Sequence, residues 1–201
     1  MSRIIAGAAG GSPLVSVPGD GTRPTTDRVK EALFSRLEAM NMLSDTRVLD
    51  LYAGSGSLGV ESASRGAKSV ELVELNDKAA AVCQRNAELV NKVVGSRVVT
   101  VQRSRVETFL ARVAEAGVDQ WDLVFMDPPY PLTEIELSLV LEQLAPRLSP
   151  FAVVVVERSS RTPQPTWPAG MALFADKKYG ETRLWFAEPA GTPADPTDPT
   201  N

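Results

Sequence analysis

Asp50-Leu51-Tyr52-Ala53-Gly54-Ser55-Gly56-Ser57-Leu58-Gly59 follows directly on the apolar pair Val48-Leu49 and leads into a stretch of helical character. Read locally, this is the end of a buried strand, a glycine turn and the start of a helix. Gly54 and Gly56 let the backbone turn tightly and approach a ligand, and Gly59 lets the helix pack close against a sheet. A strand that runs through such a bend into a helix is the opening unit of an α/β fold.

The chain outward from this bend keeps the same rhythm. Short apolar runs recur at Val70-Glu71-Leu72-Val73, Val98-Val99-Thr100-Val101, Leu123-Val124-Phe125-Met126 and Val153-Val154-Val155-Val156. The stretches between them have the length of crossover helices, so a mostly parallel sheet with helices on both faces is expected. The rhythm breaks near the end. Met171 to Phe174 and Arg183 to Phe186 flank Lys177-Lys178-Tyr179-Gly180-Glu181, which predicts an antiparallel hairpin closing one edge of the sheet. Upstream, Val29, Ala32, Leu33, Leu37 and Met40 recur at helical spacing after the N-cap candidates Thr25, Thr26 and Asp27. The expected organisation is a flexible N-terminal hairpin extension over 1–24, an α/β domain over 25–187 and a disordered acidic tail over 188–201.

Two carboxylates flank the glycine bend. Glu74 ends the second apolar run 20 residues after Gly54, where an acidic side chain can accept hydrogen bonds from ribose hydroxyls. Gly54, Gly56 and Gly59 also fit the GxGxxG dinucleotide fingerprint, so a nicotinamide dehydrogenase has to be weighed. Asp50 counts against it. A carboxylate inside the strand end repels a pyrophosphate but suits the amino group and sulfonium of S-adenosylmethionine. The residues left after the cofactor half are also too few for a dehydrogenase's substrate domain.

A second corner lies at Asp127-Pro128-Pro129-Tyr130, straight after the run Leu123 to Met126. Paired prolines fix φ and remove two backbone donors, so the strand stops there. What remains is a carboxylate, free carbonyls and an aromatic ring at the carboxyl end of a strand, where ligands bind in open α/β sheets. The corner suits a flat heterocycle that carries an amino group. Taken alone the same string also reads as a surface turn.

Composition narrows the chemistry. The 201 residues contain no histidine and one cysteine, Cys83, in the helical stretch Ala79-Ala80-Ala81-Val82-Cys83. Ser-His, Cys-His and His-metal arrangements are thereby excluded, no internal disulfide can form, and no metal is expected. Cys83 reads as a small core residue. No apolar run is long enough to span a bilayer and the opening residues lack a secretory pattern, so a cytoplasmic protein without membrane contact is expected. The net charge of −4 disfavours nucleic-acid binding. However, Glu188, Asp195 and Asp198 carry three of those negative charges, leaving residues 1–187 near −1. Arg23, Arg28, Lys30 and Arg36 gather near the N-terminus, where they fit either RNA phosphate or a solvated helix face. Trp121, Trp167 and Trp185 read as core or edge packing, although Trp167 lies in a loop that could face substrate.

With DLYAGSGSLG at the first strand, an acid after the second and DPPY after the fourth, the chain resembles class I S-adenosylmethionine-dependent methyltransferases. Its opening, Arg3-Ile4-Ile5-Ala6-Gly7 and then Arg23-Pro24-Thr25-Thr26-Asp27-Arg28-Val29-Lys30-Glu31-Ala32-Leu33-Phe34, is similar to the bacterial small-subunit ribosomal RNA methyltransferase D family. The resemblance implies a Rossmann-like, mostly parallel seven-stranded sheet with an antiparallel C-terminal hairpin. It implies methyl transfer from S-adenosylmethionine to the exocyclic N2 of a guanine in 16S ribosomal RNA. The near-neutral body favours a small-subunit particle over naked RNA as substrate, and a monomer is the default expectation.

Carried over by position, the resemblance implies that Asp50, Ala53, Gly54, Ser55, Gly56 and Gly59 frame the methionine half of the cofactor. Glu74 would hold the ribose, with Leu75 and Asn76 beside it, and Asp127, Pro128, Pro129 and Tyr130 would form the catalytic motif. Arg3, Arg23, Thr26 and Arg28 are candidates for RNA contact. One departure stands out. Such enzymes usually set an acid or amide against the adenine amino group after the third strand, but this chain has Arg103-Ser104-Arg105-Val106. An arginine cannot accept that hydrogen bond, which leaves Ser104 or a backbone group of Ser104, Arg105 or Val106. Two further readings stay open: an adenine-N6 methyltransferase of DNA or RNA, and a non-catalytic methyltransferase-like RNA-binding assembly factor.

Overall fold

A computed structural model describes residues 2–18, 27–117 and 120–191. Its centre is a seven-stranded sheet in the order β3-β2-β1-β4-β5-β7-β6. The strands are β1 Arg47–Leu51, β2 Ser69–Glu74, β3 Val99–Arg103, β4 Trp121–Met126, β5 Leu148–Ser159, β6 Met171–Tyr179 and β7 Thr182–Pro189. β1 to β5 run parallel, and β7 and β6 pair antiparallel at one edge, as the sequence predicts. The last hairpin is tighter than expected. β6 continues through Lys177, Lys178 and Tyr179, leaving only Gly180 and Glu181 between the strands, and Gly180 takes the φ of 58° that this short turn requires.

Alternation along the strands builds a core on each face. One face sets Val48, Val70, Leu72, Phe125, Val155 and Phe186 against helices α1 (Asp27–Ala39), α2 (Ser57–Ser64) and α3 (Asp77–Val94). The other sets Leu49, Leu51, Val124, Met126, Val154 and Trp185 against α4 (Val106–Ala116) and α5 (Glu134–Leu144). Trp121 and Trp185 are buried packing residues, and Trp167 lies partly buried against the second core. The prolines after β4 end that strand at Met126, as their missing donors dictate.

The sheet order makes β1 and β4 neighbours although two strands, β2 and β3, separate them in sequence, with Leu51 opposite Met126. The chain leaves β1 towards one edge, through β2 and β3, and returns to β4 on the other side. This is a topological switch point, where the loops above neighbouring strands part and leave a crevice. The glycine bend after β1 and the paired prolines after β4 both open onto it.

The expected boundaries shift at both ends. Residues 2–18, read from sequence as a flexible hairpin, are closed by a single antiparallel bridge between Arg3 and Pro13 and are fastened to the domain. Ile4, Ala9 and Leu14 are buried in the first core. Gly7 lies so close to α2 that a Cβ there would stand 2.0 Å from the Ser64 carbonyl oxygen. At the other end, Glu188 and Pro189 pair with Ala172 and Met171, so β7 runs past the tail boundary expected at 188. The remainder of the tail from 192 onward, together with Arg23, Thr25 and Thr26, lies outside the described residues. Among the described residues no helix is long and apolar enough to cross a membrane, and no group of three or more His, Cys, Asp or Glu could hold a metal ion.

Candidate active site

A cleft of about 790 Å³ opens at the switch point. Its lining brings together Asp50, Ala53, Gly54 and Ser55 from the first corner, Glu74, Leu75 and Asn76 from the end of β2, Ser104, Arg105 and Val106 ahead of α4, and Asp127 and Pro129 from the second corner. The volume falls in the range of ordinary small-molecule sites.

The glycines divide the work. Gly54 has φ 58° and nothing within 4 Å of where a Cβ would stand, so it is the residue that faces the cleft. Gly56 and Gly59 lie beneath it. A Cβ on Gly56 would meet Leu72 Cδ1 at 2.7 Å, and one on Gly59 would meet Leu72 Cδ2 at 2.2 Å. Both permit close packing of α2 on the sheet and neither lines the cleft. Tyr52 adopts φ 59°, a left-handed conformation costly for an aromatic residue, and Gly56 caps α2 at φ 75°. The bend is held from below by the Cys83 thiol, which donates to the Gly54 carbonyl at 3.2 Å. Burial pushes that thiol far above its usual range, so it serves as a strut and not as a nucleophile.

Carboxylates define the polar floor. Glu74 accepts the Gly54 N–H at 2.8 Å through Oε2 and the Asn76 N–H at 2.8 Å through Oε1. Each oxygen keeps a lone pair for a ligand hydroxyl. Asn76 in turn caps α3, its side chain accepting from Lys78 and Ala79. Asp50 is 3% exposed and accepts the Gly59 N–H at 3.0 Å. Burial raises its carboxyl to about 8, the Gly59 hydrogen bond opposes this, and the Glu74 charge adds to it.

Asp127 is solvent-reachable through the cleft mouth yet ringed by protein atoms. Desolvation by those crowding atoms, then the charges of Glu157 and Asp50, raise its carboxyl above the usual carboxylate range, and Arg158 partly offsets them. Asp50 and Asp127 line the same cleft, so the two corners share one space. Asp50, Glu74 and Asp127, gathered on one cleft, suit a positively charged ligand.

The second corner is braced from β5. Arg158, 8% exposed, donates to the Leu132 carbonyl at 3.3 Å and to Glu134 Oε1 at 2.5 Å. The Pro129 carbonyl accepts the Leu132 N–H at 2.9 Å, and Thr133 with Glu136 forms a capping box at the start of α5. Pro128 is buried inside this turn. Tyr130 points outward from the cleft lip with 73% of its surface exposed.

Several contributors carry no motif. Tyr52 lines the cleft with its hydroxyl buried and without a partner among the described residues. Glu107, in the first turn of α4, also lines it, its carboxylate 3.6 Å from Arg105. The Ser104 hydroxyl is turned back to the Arg105 carbonyl at 3.0 Å. Ser16, Val17 and Pro18 of the N-terminal segment form a further wall. Of the RNA-contact candidates, Arg3 and Arg28 are exposed outside the cleft, with Arg3 3.9 Å from Asp27, and Arg23 and Thr26 lie outside the described residues.

These features fit the methyl donor read from the sequence. The open face of Gly54, the Glu74 carboxylate, the buried Asp50 and the Tyr52 hydroxyl, unpartnered among the described residues, together suit a cationic nucleoside.

Comparison with known proteins agrees. The family model described as Conserved hypothetical protein 95 matches residues 2–188. Ribosomal RNA small subunit methyltransferase D from Haemophilus influenzae is 36% identical over 180 residues, covering 89% of each chain. The protein of that name from Escherichia coli is 34% identical over 191 residues, covering 94% of this chain and 91% of its own. Among solved structures, a hypothetical protein from Thermus thermophilus superposes with a TM-score of 0.76 at 28% identity, covering 92% of this chain and 98% of its own.

Proposed function

Because this chain belongs to the ribosomal RNA small subunit methyltransferase D family, we propose that it methylates the exocyclic N2 amino group of a guanine in 16S ribosomal RNA, with S-adenosylmethionine as donor. The observation that carries the reading is the single cleft shared by Asp50, Gly54 and Glu74 on one side and Asp127 and Pro129 on the other. The substrate is RNA held in a small-subunit particle, since a near-neutral protein body has little charge to spend on naked RNA. The protein acts as a cytoplasmic monomer.

The donor, when bound, supplies an activated methyl group on a sulfonium. The residues of this chain supply placement and charge. Asp50 and the open face of Gly54 take the methionine half, Glu74 takes the ribose hydroxyls, and Glu107 accepts from the adenine amino group. The obstacle lies in the guanine nitrogen, whose lone pair is delocalised into the ring. Asp127, at the cleft, accepts an N–H bond of that amino group, favours the pyramidal nitrogen, stabilises its growing positive charge and takes the proton the methylated nitrogen sheds. Preorganised acceptors of this kind contribute roughly 3 kcal/mol each.

The neighbour of Asp127, Glu157, supports guanine over adenine as the substrate. Met126, the last residue of β4, lies opposite Val156 on β5, so Asp127 and Glu157 each follow that pair, and the Glu157 charge acts on Asp127. Two carboxylates match the adjacent N1–H and N2–H donors of guanine, whereas adenine offers an acceptor at N1. Tyr130 provides a ring for a base turned out of its helix. Arg3 and Arg28 meet RNA phosphate.

The test uses small-subunit particles from a bacterial strain lacking this protein, incubated with the purified chain and isotopically labelled donor. Mass mapping should find one new methyl group on a guanine N2. Label on an adenine would favour the adenine-N6 reading, and donor binding with no transfer to RNA would favour an assembly factor.

A further inference from the structure

The N-terminal segment is fastened to the domain by a set of buried side chains. Glu61 on α2, fully buried, accepts the N–H groups of Ile5 at 2.7 Å and Ala6 at 3.0 Å, and its charge is met by Arg65 at 2.8 Å and Lys30 at 3.6 Å. The Ser64 hydroxyl donates to the Ala6 carbonyl at 2.6 Å and accepts the Ala9 N–H at 2.9 Å. None of Ile5, Ala6, Ala9, Glu61 and Ser64 lines the cleft.

Asn86 on α3 makes a different connection. Its side chain is fully buried, accepts the Val15 N–H at 2.9 Å, and donates to the Val15 carbonyl at 3.0 Å and to the Ser55 carbonyl at 2.8 Å. Both amide hydrogens are thereby used. One side chain pairs Val15 as a neighbouring strand would and at the same time holds the glycine bend. Ser55 lines one wall of the cleft, while Ser16, Val17 and Pro18, directly after Val15, line another.

We propose that Asn86 is a positioning residue for the methyl donor, setting the spacing between the glycine bend and the N-terminal wall so that donor binding and docking of residues 14–18 are linked. The inference rests on the donor-binding part of the proposed function. Linkage is reciprocal: if the docked wall raises donor affinity, the donor must stabilise the docked wall by the same factor. Loss of the Asn86 amide leaves two carbonyls and one N–H without that partner, and the wall is free to drift from the bend.

The test measures S-adenosylhomocysteine binding by calorimetry, and amide exchange of residues 14–18 with and without it, in the full-length wild type, Asn86→Ala and Ser64→Ala. Ser64→Ala removes contacts to the same segment at residues that do not line the cleft and serves as the control for general loosening. The expected result is an affinity loss of about tenfold in Asn86→Ala, with Ser64→Ala binding as wild type. The ligand should slow exchange at residues 14–18 in the wild type and in Ser64→Ala but not in Asn86→Ala. Equal affinities in both variants, or losses that follow denaturant stability in both, would overturn the proposal. Unchanged exchange of 14–18 in the wild type on ligand binding would overturn it too, without any variant. A wild type that binds no S-adenosylhomocysteine would defeat the donor-binding reading itself.

Discussion

The Gly59 N–H donates to Asp50 Oδ2 across 3.0 Å, and a Cβ on Gly59 would stand 3.2 Å from that same oxygen. The first helical turn after the glycine bend therefore both requires a glycine and satisfies the buried carboxylate beneath it. Helix position and site electrostatics are one feature here, and each can be disturbed through the other.

Gly59→Ala should destabilise the fold and damage the site together. The new methyl group would also lie 2.2 Å from Leu72 Cδ2 and 3.0 Å from Val70 Cγ1, in the middle of a packed core. Overpacking of this kind costs about 2 kcal/mol, and α2 must shift to relieve it. Urea unfolding should show the loss in midpoint, and S-adenosylhomocysteine should bind more weakly. A variant as stable as wild type would mean that the helix has slack the structure does not show.

Asp50 makes stability and binding depend on pH with a definite sign. Its folded carboxyl titrates near 8, well above the about 4 of an unfolded chain. Between those values the folded protein keeps a proton that the unfolded chain has released. Its contribution to stability is therefore full at acid pH and is lost as pH rises through that window. Asp50→Asn keeps an acceptor for Gly59 and removes the titration, so the stability difference between variant and wild type should grow in favour of the variant towards pH about 8. A cationic ligand favours the ionised carboxylate, so S-adenosylmethionine binding at neutral pH should release protons from wild type and fewer from Asp50→Asn. Calorimetry in buffers of different ionisation heat measures this directly, and identical proton release from both would contradict it.

Glu74→Ala should lower donor affinity by more than the ribose contacts alone. Its two oxygens also hold the Gly54 and Asn76 N–H groups at 2.8 Å each, so removing them loosens the bend and the start of α3. Calorimetry should find an affinity loss of at least tenfold, on the order of the 1–3 kcal/mol expected when a buried hydrogen-bond partner is removed. An unaltered affinity would reduce Glu74 to a strand-end charge.

What can be read from the sequence follows the range of the forces involved. Strand spacing, the glycine bend and the proline stop are local, so β1 to β5 and the last hairpin are all visible as runs of residues. Residues joined only by topology are not. Glu107 lies where a motif would demand Asp or Asn, but displaced into the first turn of α4. Tyr52 has no signature beyond its place before the glycines. Asn86 sits in an ordinary helical stretch, and only the folded chain brings it between Val15 and Ser55. Residues 2–18 read as flexible because glycine, alanine and serine separate their two short apolar pieces, yet Glu61 and Ser64, more than fifty residues away, hold them in place.

Asp127 and Tyr130 should separate chemistry from binding. Asp127→Ala should lose methyl transfer by on the order of a hundredfold or more, the size of effect seen when a preorganised group at a developing charge is removed, while donor affinity stays close to wild type. Because desolvation by crowding atoms and the charges of Glu157 and Asp50 raise its carboxyl above the usual range, the share of the stronger, ionised acceptor grows as pH rises. Single-turnover transfer by wild type should therefore increase with pH, and Asp127→Asn should be slow and nearly flat. Tyr130, with 73% of its surface exposed, has a ring available to a base, so Tyr130→Phe should keep most activity and Tyr130→Ala should lose it chiefly through weaker RNA binding. Equal losses in the two Tyr130 variants would assign the role to the hydroxyl, and a wild-type rate that does not change with pH would remove Asp127 ionisation from the transfer step.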